Sequence, residues 1–239
     1  MASVAPSMTR REFTLDVADV LSLGSGLAWT ATYLLIIWTS RRERTYGMPI
    51  AALGANLGWE FLFSFVRPGD GMQLVVNYVW FGFDVVILGL VIAHGPREFR
   101  FLPRWGFLAM LASVLVMGYL GVDLVSRQFD HGLATFAAFG QNLMMSGLFL
   151  SMLIARGSTR GQSVWIALTK GVGTALASGA CWIWARDEPW RHGPLLPYLM
   201  IATAVLDLAY LVAVYLVARH EEGGSASAPL RLDRVPEGV

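Results

Sequence analysis

"NLGWEFLFSF" (Asn56–Phe65) places one carboxyl group, Glu60, in the middle of an apolar run. The run around it is long enough to cross a bilayer, which takes about 20 residues. The rest of the chain has the same character: of 239 residues, 55% are hydrophobic and 15% are charged, and the mean hydropathy is +0.54. A soluble domain carries more charge, about a quarter of its residues. The composition therefore predicts a multi-pass integral membrane protein.

Seven apolar blocks are long enough to span a membrane. They should be helices, because a spanning segment must satisfy its backbone polar groups internally. The predicted fold is an all-α integral membrane bundle of seven transmembrane helices. One membrane domain, 19–218, lies between an N-terminal segment, 1–18, and a flexible cytoplasmic tail, 219–239. The predicted spans are roughly 19–39, 48–66, 72–93, 104–125, 132–155, 163–184 and 195–218.

Arginine placement predicts the orientation, because cytoplasmic loops are enriched in basic residues. Eleven arginines lie in the odd-numbered loops and the tail, against six in the N-terminal segment and the even loops. This predicts an N-terminus outside and a C-terminus in the cytoplasm. A composition rich in arginine, alanine and glycine further suggests a bacterial protein, and therefore a location in the bacterial plasma membrane. The net charge of +1 gives no reason to expect nucleic acid, and one cysteine excludes an intrachain disulfide.

Three carboxyl groups lie in the middle third of predicted spans: Glu60, Asp84 and Asp207. A charge at the membrane centre costs at least about 2.5–3.5 kcal/mol on insertion scales. For one acid, a hydrogen bond between helices is an equally good explanation. Three acids at similar depth favour a functional site, and we predict all three to be catalytic. Lys170, nearer the end of its span, is expected to extend its ammonium toward the interface.

Polar and aromatic side chains share the faces that carry these acids, because residues three or four apart lie on one helical face. Asn56 lies one turn from Glu60, and Trp80 lies one turn from Asp84. If these faces converge, they form a cavity with carboxyls, amides and aromatic rings. The candidate substrate-binding or cation-stabilising residues from this pattern are Trp29, Tyr33, Asn56, Asn77, Trp80, Asn142 and Tyr210.

Such a set of residues suits general acid chemistry on an apolar substrate. A carboxylic acid kept neutral in an apolar pocket donates a proton, and aromatic faces attract cations. Protonation of an isoprenoid alkene or epoxide, followed by ring closure through carbocations with water excluded, would use both. A proton-coupled small-molecule transporter could use the same carboxyls, so residue types alone leave the two functions open. Three mid-span acids count against a purely structural role.

The chain resembles the integral-membrane terpene cyclases in its length, its seven spans, "NLGWEF" in the second span and "DLAY" in the seventh. That family includes fungal meroterpenoid cyclases of the pyripyropene, terretonin and andrastin type and bacterial drimentine-type relatives. The resemblance implies that Glu60 and Asp207 are essential and that Trp59, in the Trp59–Glu60 pair, belongs to the site. It implies a protonation-initiated reaction without metal or cofactor, and the sequence has no "DDxxD"-like or "DxDD" segment.

The same resemblance gives the expected partners. The substrate would be a prenylated hydrophobic small molecule that reaches the site from the lipid bilayer. By analogy with the bacterial relatives, a farnesyl chain on an indole or a cyclodipeptide is expected, together with a prenyltransferase of the same secondary-metabolite pathway. A transporter would instead be expected to show repeated halves or broken helices, and the sequence shows neither clearly.

Overall fold

Seven helical segments, and no strand, make up the part of the chain that this computed structural model describes, residues 16–185 and 193–226. The second helix ends in a π-helical turn, in which the hydrogen bonds join residues five apart. The segments are α1 (Val17–Glu43), α2 (Ile50–Phe61) with its π-helical turn (Leu62–Val66), α3 (Gly71–Glu98), α4 (Arg104–Phe129), α5 (Thr135–Arg156), α6 (Val164–Ala185) and α7 (Leu195–Ala226).

These helices correspond one to one with the seven predicted spans. Six of them are long and apolar enough to cross a membrane, judged by length and composition, and Ile50–Val66 is apolar but shorter. The all-helical, multi-pass architecture is therefore confirmed. The orientation of the termini stays a prediction. Most of the predicted N-terminal segment, the loop at 186–192 and residues 227–239 lie outside the described residues.

The end of α7 differs from the sequence prediction. The helix continues to Ala226, although the tail was predicted to be flexible from residue 219. Glu221 accounts for part of this, because its carboxylate accepts hydrogen bonds from the backbone N–H of Thr159 (3.1 Å) and from the Thr159 hydroxyl (2.5 Å). These bonds attach the last turns of α7 to the α5–α6 connection. The first part of the predicted tail is therefore helical.

Two helix ends have local causes in the sequence. Asp16 caps α1: its side chain accepts from the backbone N–H of Asp19 at 2.8 Å, and the Asp19 side chain accepts from the Asp16 N–H at 3.2 Å. This reciprocal pair satisfies two N–H groups that a helix start leaves unpaired. The second example is the C-terminal end of α5. Gly157 follows this helix with a positive φ of 58°, a conformation that glycine adopts without steric cost.

The helices pack as a closed ring, in which each touches the next in the order α1, α3, α2, α4, α5, α7, α6 and back to α1. α2 also touches α5 across this ring. The backbones of α2 and α4 approach each other closely, because a Cβ added at Gly118 would lie 2.3 Å from the backbone of Gly54. Such contact between backbones is typical of small residues in membrane helices. It holds the second helix, which carries Glu60, firmly in the bundle.

Candidate active site

The three predicted acids all lie inside the bundle. The exposed fraction of the residue is 1% for Glu60, 0% for Asp84 and 5% for Asp207. As the sequence pattern predicted, all three face the interior of the bundle and none points toward lipid. Their partners, however, divide the buried polar residues into two groups. The acid cluster comprises Tyr33, Asn56, Glu60 and Asp84 on α1, α2 and α3, and the ion-pair cluster comprises Asn142, Ser146, Lys170 and Asp207 on α5, α6 and α7.

An amide lies at the centre of the acid cluster. Nδ2 of Asn56 donates to Oδ2 of Asp84 at 2.8 Å and lies 2.5 Å from the hydroxyl oxygen of Tyr33. Asp84 is also close enough to Glu60 for the two carboxyl groups to interact electrostatically. Among the described residues, neither carboxyl forms an ion pair, and Oε2 of Glu60 and Oδ1 of Asp84 have no hydrogen-bond partner. The acid cluster therefore contains two buried carboxyls without a compensating cation.

The position of Glu60 follows from the geometry of its helix. Asn56 and Glu60 lie one turn apart on the inner face of α2, and Ser64 continues that face into the π-helical turn. Phe61 and Phe65 point outward, and the two residues are 43% and 51% exposed. Single π-helical turns inside helices occur frequently at functional sites. This one begins two residues after Glu60.

Lys170 organises the ion-pair cluster. Its ammonium donates to Oδ1 of Asp207 at 2.6 Å, to the hydroxyl of Ser146 at 2.6 Å and to Oδ1 of Asn142 at 3.2 Å. It also lies 5.6 Å from the centre of the Trp29 ring. The side chain is fully buried, so the expectation that Lys170 extends to the membrane interface was wrong. Three acceptors inside the bundle, one of them the ion-pair partner Asp207, replace the hydration that the interface would have supplied.

Trp80 and Tyr210 lie beside the two clusters. The indole N–H of Trp80 donates to the hydroxyl of Thr30 at 3.1 Å, and its ring centre lies 5.8 Å from that of Tyr33. Tyr210 is fully buried one turn from Asp207, with its ring centre 5.5 Å from that of Phe149. Trp80 thus extends the acid cluster, and Tyr210 adjoins the ion-pair cluster.

Trp59 and Asn77 contact neither cluster through a hydrogen bond or ring contact found in the described residues. The Trp59 ring packs against Phe63 at 5.0 Å, and its N–H points at the carbonyl of Ala134 at 3.4 Å. Asn77 accepts from Gln73 at 2.7 Å and donates to the carbonyl of Phe63 at 3.4 Å. Both side chains therefore support the π-helical end of the second helix, and their substrate-binding role stays a prediction.

One amide contact connects the two clusters. Nε2 of Gln141 lies 3.5 Å from Oδ1 of Asn56, and the next residue, Asn142, contacts Lys170. From the sequence, Asp207 is expected either to hydrogen-bond to Glu60, directly or through water, or to lie at the other end of the cation path and assist deprotonation. In the structure the hydrogen-bond partner of Asp207 is Lys170 instead. The second alternative stays a prediction.

Sequence reasoning missed Lys170 and Ser146 as members of the site. A signal was present, because an ionisable residue in a membrane span normally pairs with another. Lys170 is the chain's single lysine, and its partner had to be one of the three mid-span acids. Which acid it chooses depends on how the helices pack, and periodicity within each helix carries no such information.

Metal-binding groups are not assembled in the part of the chain that the structure describes. No set of three or more His, Cys, Asp and Glu side chains there is placed to hold a metal ion. The expectation that the reaction needs no metal or other cofactor concerns the chemistry itself, and it stays a prediction.

Comparison with known proteins identifies a single family. The profile of the Pyr4-like transmembrane terpene cyclases matches residues 4–220. The Pyr4-family terpene cyclase mfmH of Annulohypoxylon moriforme is 29% identical over 83% of this chain and 85% of its own length. Terpene cyclase atmB of Aspergillus flavus is 31% identical over 86% and 88%, and terpene cyclase pyr4 of Aspergillus fumigatus is 28% identical over 92% and 93%. No solved structure matches the chain.

Proposed function

Because the chain belongs to the Pyr4-like transmembrane terpene cyclases, we propose that its reaction begins when Glu60 protonates the terminal alkene or epoxide of a prenyl chain. The protein is a membrane terpene cyclase, and this assignment favours cyclisation over the proton-coupled transporter considered above. The proposed substrate is a farnesyl chain on an indole or a cyclodipeptide. The three relatives named here are fungal, so they lend no support to the expected bacterial plasma membrane.

The observation that carries this proposal is the unpaired carboxyl of Glu60. An ionised carboxylate buried without a cation or a donor is very costly, so the neutral, protonated form is favoured. Asp84 differs, because the amide of Asn56 donates to it and so supports an ionised oxygen. Two neighbouring carboxylates would also repel each other, which again leaves one proton on Glu60. Of the two acids, Glu60 is therefore the better proton donor.

The surroundings of Glu60 suit a carbocation intermediate. The residues of the acid cluster are buried within the bundle, and a site that excludes water traps an early cation less readily. Tyr33 and Trp80 place two aromatic rings next to it, and such rings stabilise positive charge at their faces. Protonation of an alkene carbon, or of an epoxide oxygen with opening of the C–O bond, then starts ring closure along the chain.

The decisive experiment incubates the purified protein with a panel of farnesylated compounds. The panel contains an indole and a cyclodipeptide, each with a terminal alkene or a terminal epoxide. We expect a cyclic isomer of the same mass as the substrate and, in deuterium oxide, one non-exchangeable deuterium in the product of an alkene substrate. Glu60→Gln should form this product about 10²–10⁴-fold more slowly. A chelator such as EDTA should leave the rate unchanged.

Two results would overturn parts of this proposal. Conversion of no member of the panel would remove the farnesylated substrate class. A cyclic product of the alkene substrate without solvent deuterium would remove protonation as the first step.

The orientation is proposed separately, from the arginine distribution. With the N-terminus outside, reporter fusions at Arg42 and after Arg219 should both report the cytoplasm. Opposite signals at the two sites would be incompatible with the proposed arrangement of the helices.

A further inference from the structure

Proton donation by Glu60, as proposed above, gives no role to the buried ammonium of Lys170. Lys170 lies on α6, and its three N–H groups meet three oxygens, on Asp207, Ser146 and Asn142. The Trp29 ring adds a further contact of the kind that attracts cations. The three oxygens accept hydrogen bonds from the nitrogen, and the ring attracts positive charge. None of these partners donates a hydrogen bond to the nitrogen, so together they favour an ammonium over a neutral amine.

We propose that Lys170 keeps Asp207 ionised, and that Asp207 uses its second oxygen, Oδ2, as the base that removes the final proton and ends cyclisation. Lys170 is then a positioning residue, which acts through Asp207. The proposal rests on the protonation-initiated cyclisation described above, and it assigns the second carboxyl of that site to the closing step.

The carboxyl of Asp207 has the geometry that a base requires. Lys170 holds Oδ1 at 2.6 Å, while Oδ2 is buried and has no hydrogen-bond partner among the described residues. A pair that served only to join α6 to α7 would normally satisfy both oxygens, since buried polar atoms are seldom left unpaired. The unpaired Oδ2 is therefore available to accept a proton.

The acid cluster has the opposite environment. Glu60 has no cationic partner, whereas Asp207 has one at contact distance. Two carboxyl groups in contrasting surroundings, one favouring the neutral and one the ionised form, are a recurrent basis for assigning an acid and a base. On this basis Glu60 supplies the proton and Asp207 receives one.

The closing step balances without any further reactant. The C–H bond beside the last cationic carbon breaks, its electron pair forms the product's double bond, and the proton passes to Oδ2 of Asp207. Glu60 has lost one proton and Asp207 has gained one, so substrate and product are isomers. A proton must return to Glu60 and leave Asp207, by exchange with water, before the next turnover.

Infrared spectroscopy tests the ion pair without any substrate. Purified protein in lipid would be compared with Lys170→Met, Lys170→Arg, Asp207→Asn and the double variant Lys170→Met with Asp207→Asn. We expect no carboxylic-acid band from Asp207 in the wild type or in Lys170→Arg. Lys170→Met should gain such a band, and the double variant should lose it again. An Asp207 acid band already present in the wild-type protein would overturn the proposal.

The products of the same variants test the base. With the farnesylated panel, Asp207→Asn and Lys170→Met should still take up solvent deuterium at the chain terminus. The amount of the wild-type product formed per substrate consumed should fall about 10²-fold, which is the lower end of the range for general acid–base catalysis. Water-trapped alcohols or prematurely deprotonated compounds should replace it. Lys170→Arg should restore the wild-type product, which a loss of structure alone would not explain.

The outcomes separate this proposal from the function on which it rests. Wild-type product ratios in Asp207→Asn would overturn the base while leaving protonation by Glu60 intact. If Asp207→Asn does not fold, the charge-neutral double variant takes its place and the same product ratios decide. A wild-type protein that converts nothing in the panel would overturn the proposed function and the base together, whereas the infrared bands would still decide the ion pair.

Discussion

The acid cluster and the ion-pair cluster hold buried carboxyls in two different ways. In the first, one amide donates to Asp84, Oε2 of Glu60 is unpaired, and neither carboxyl forms an ion pair. In the second, one carboxyl meets an ammonium that two further oxygens also bind. The clusters lie on opposite sides of the helix ring. Gln141, the neighbour of Asn142 on α5, contacts Asn56 and so connects them. Residues of the same chemical type thus have different charge preferences because their neighbours differ.

This difference indicates how one membrane bundle can provide both an acid and a base. Burial alone would favour the neutral form of every carboxyl. In the proposed mechanism, Lys170 reverses that preference at Asp207, because its charge replaces the lost hydration. The protein therefore needs no change in depth or exposure between the two acids.

The largest expected effect comes from removing the proton donor in the acid cluster. Glu60→Gln keeps the shape of the side chain, but an amide cannot serve as the general acid. We expect the cyclisation rate to fall by about 10²–10⁴-fold, measured as product formation in membranes with expression checked in parallel. Asp84→Asn is the matched control in the same cluster and should lose less. Near-normal activity of well-folded Glu60→Gln would transfer the donor role to Asp84.

The next effect concerns stability and belongs to the ion-pair cluster. Lys170→Met leaves Asp207 buried without its cation, and breaking such a pair typically costs about 3–5 kcal/mol. The thermal unfolding midpoint in detergent should fall accordingly. Adding Asp207→Asn should recover part of the loss, because it removes the buried carboxyl that must take up a proton once its cation is gone. Equal destabilisation by Asp84→Asn, which breaks no ion pair, would show that the two clusters do not differ in charge.

A smaller effect is expected from the amide of the acid cluster. Asn56→Ala removes the donor to Asp84 and leaves that buried oxygen unpaired, at a cost of about 1–3 kcal/mol. Unfolding in detergent would measure it, with Asn77→Ala as a control because Asn77 contacts neither cluster. If both variants lose equal stability, Asn56 has no special part in holding the carboxyls.

The smallest effect is expected at the aromatic margin of the acid cluster. Trp80→Phe keeps a π-face beside Tyr33 and loses the hydrogen bond to Thr30, which is worth about 0.5–1.5 kcal/mol. We expect the rate to stay within about tenfold of the wild type. A loss as large as that of Glu60→Gln would mean that the indole itself, rather than an aromatic face, is required.

Sequence alone predicted the helices well and the pairing of the polar groups poorly. Apolar blocks fix a membrane helix directly, because lipid leaves the backbone no other way to satisfy its polar groups. Helical spacing predicted the inward faces of α2, α3 and α7, so the buried positions of Asn56, Glu60, Asp84 and Asp207 were predicted correctly. The partner of Asp207 was not, since any of three acids could have met Lys170. That choice depends on which helices are neighbours in the ring.

The shortness of the second helix has a consequence for the bilayer around it. It consists of twelve α-helical and five π-helical residues, and at about 1.5 Å per residue it is only about 25 Å long. The hydrocarbon core of a typical bilayer is about 30 Å thick. The bilayer can match this length by thinning beside the second helix, which brings headgroups and water closer to Glu60, the proposed proton donor. Acyl-chain length should consequently influence turnover, with the fastest rates in nanodiscs made from short-chain lipids.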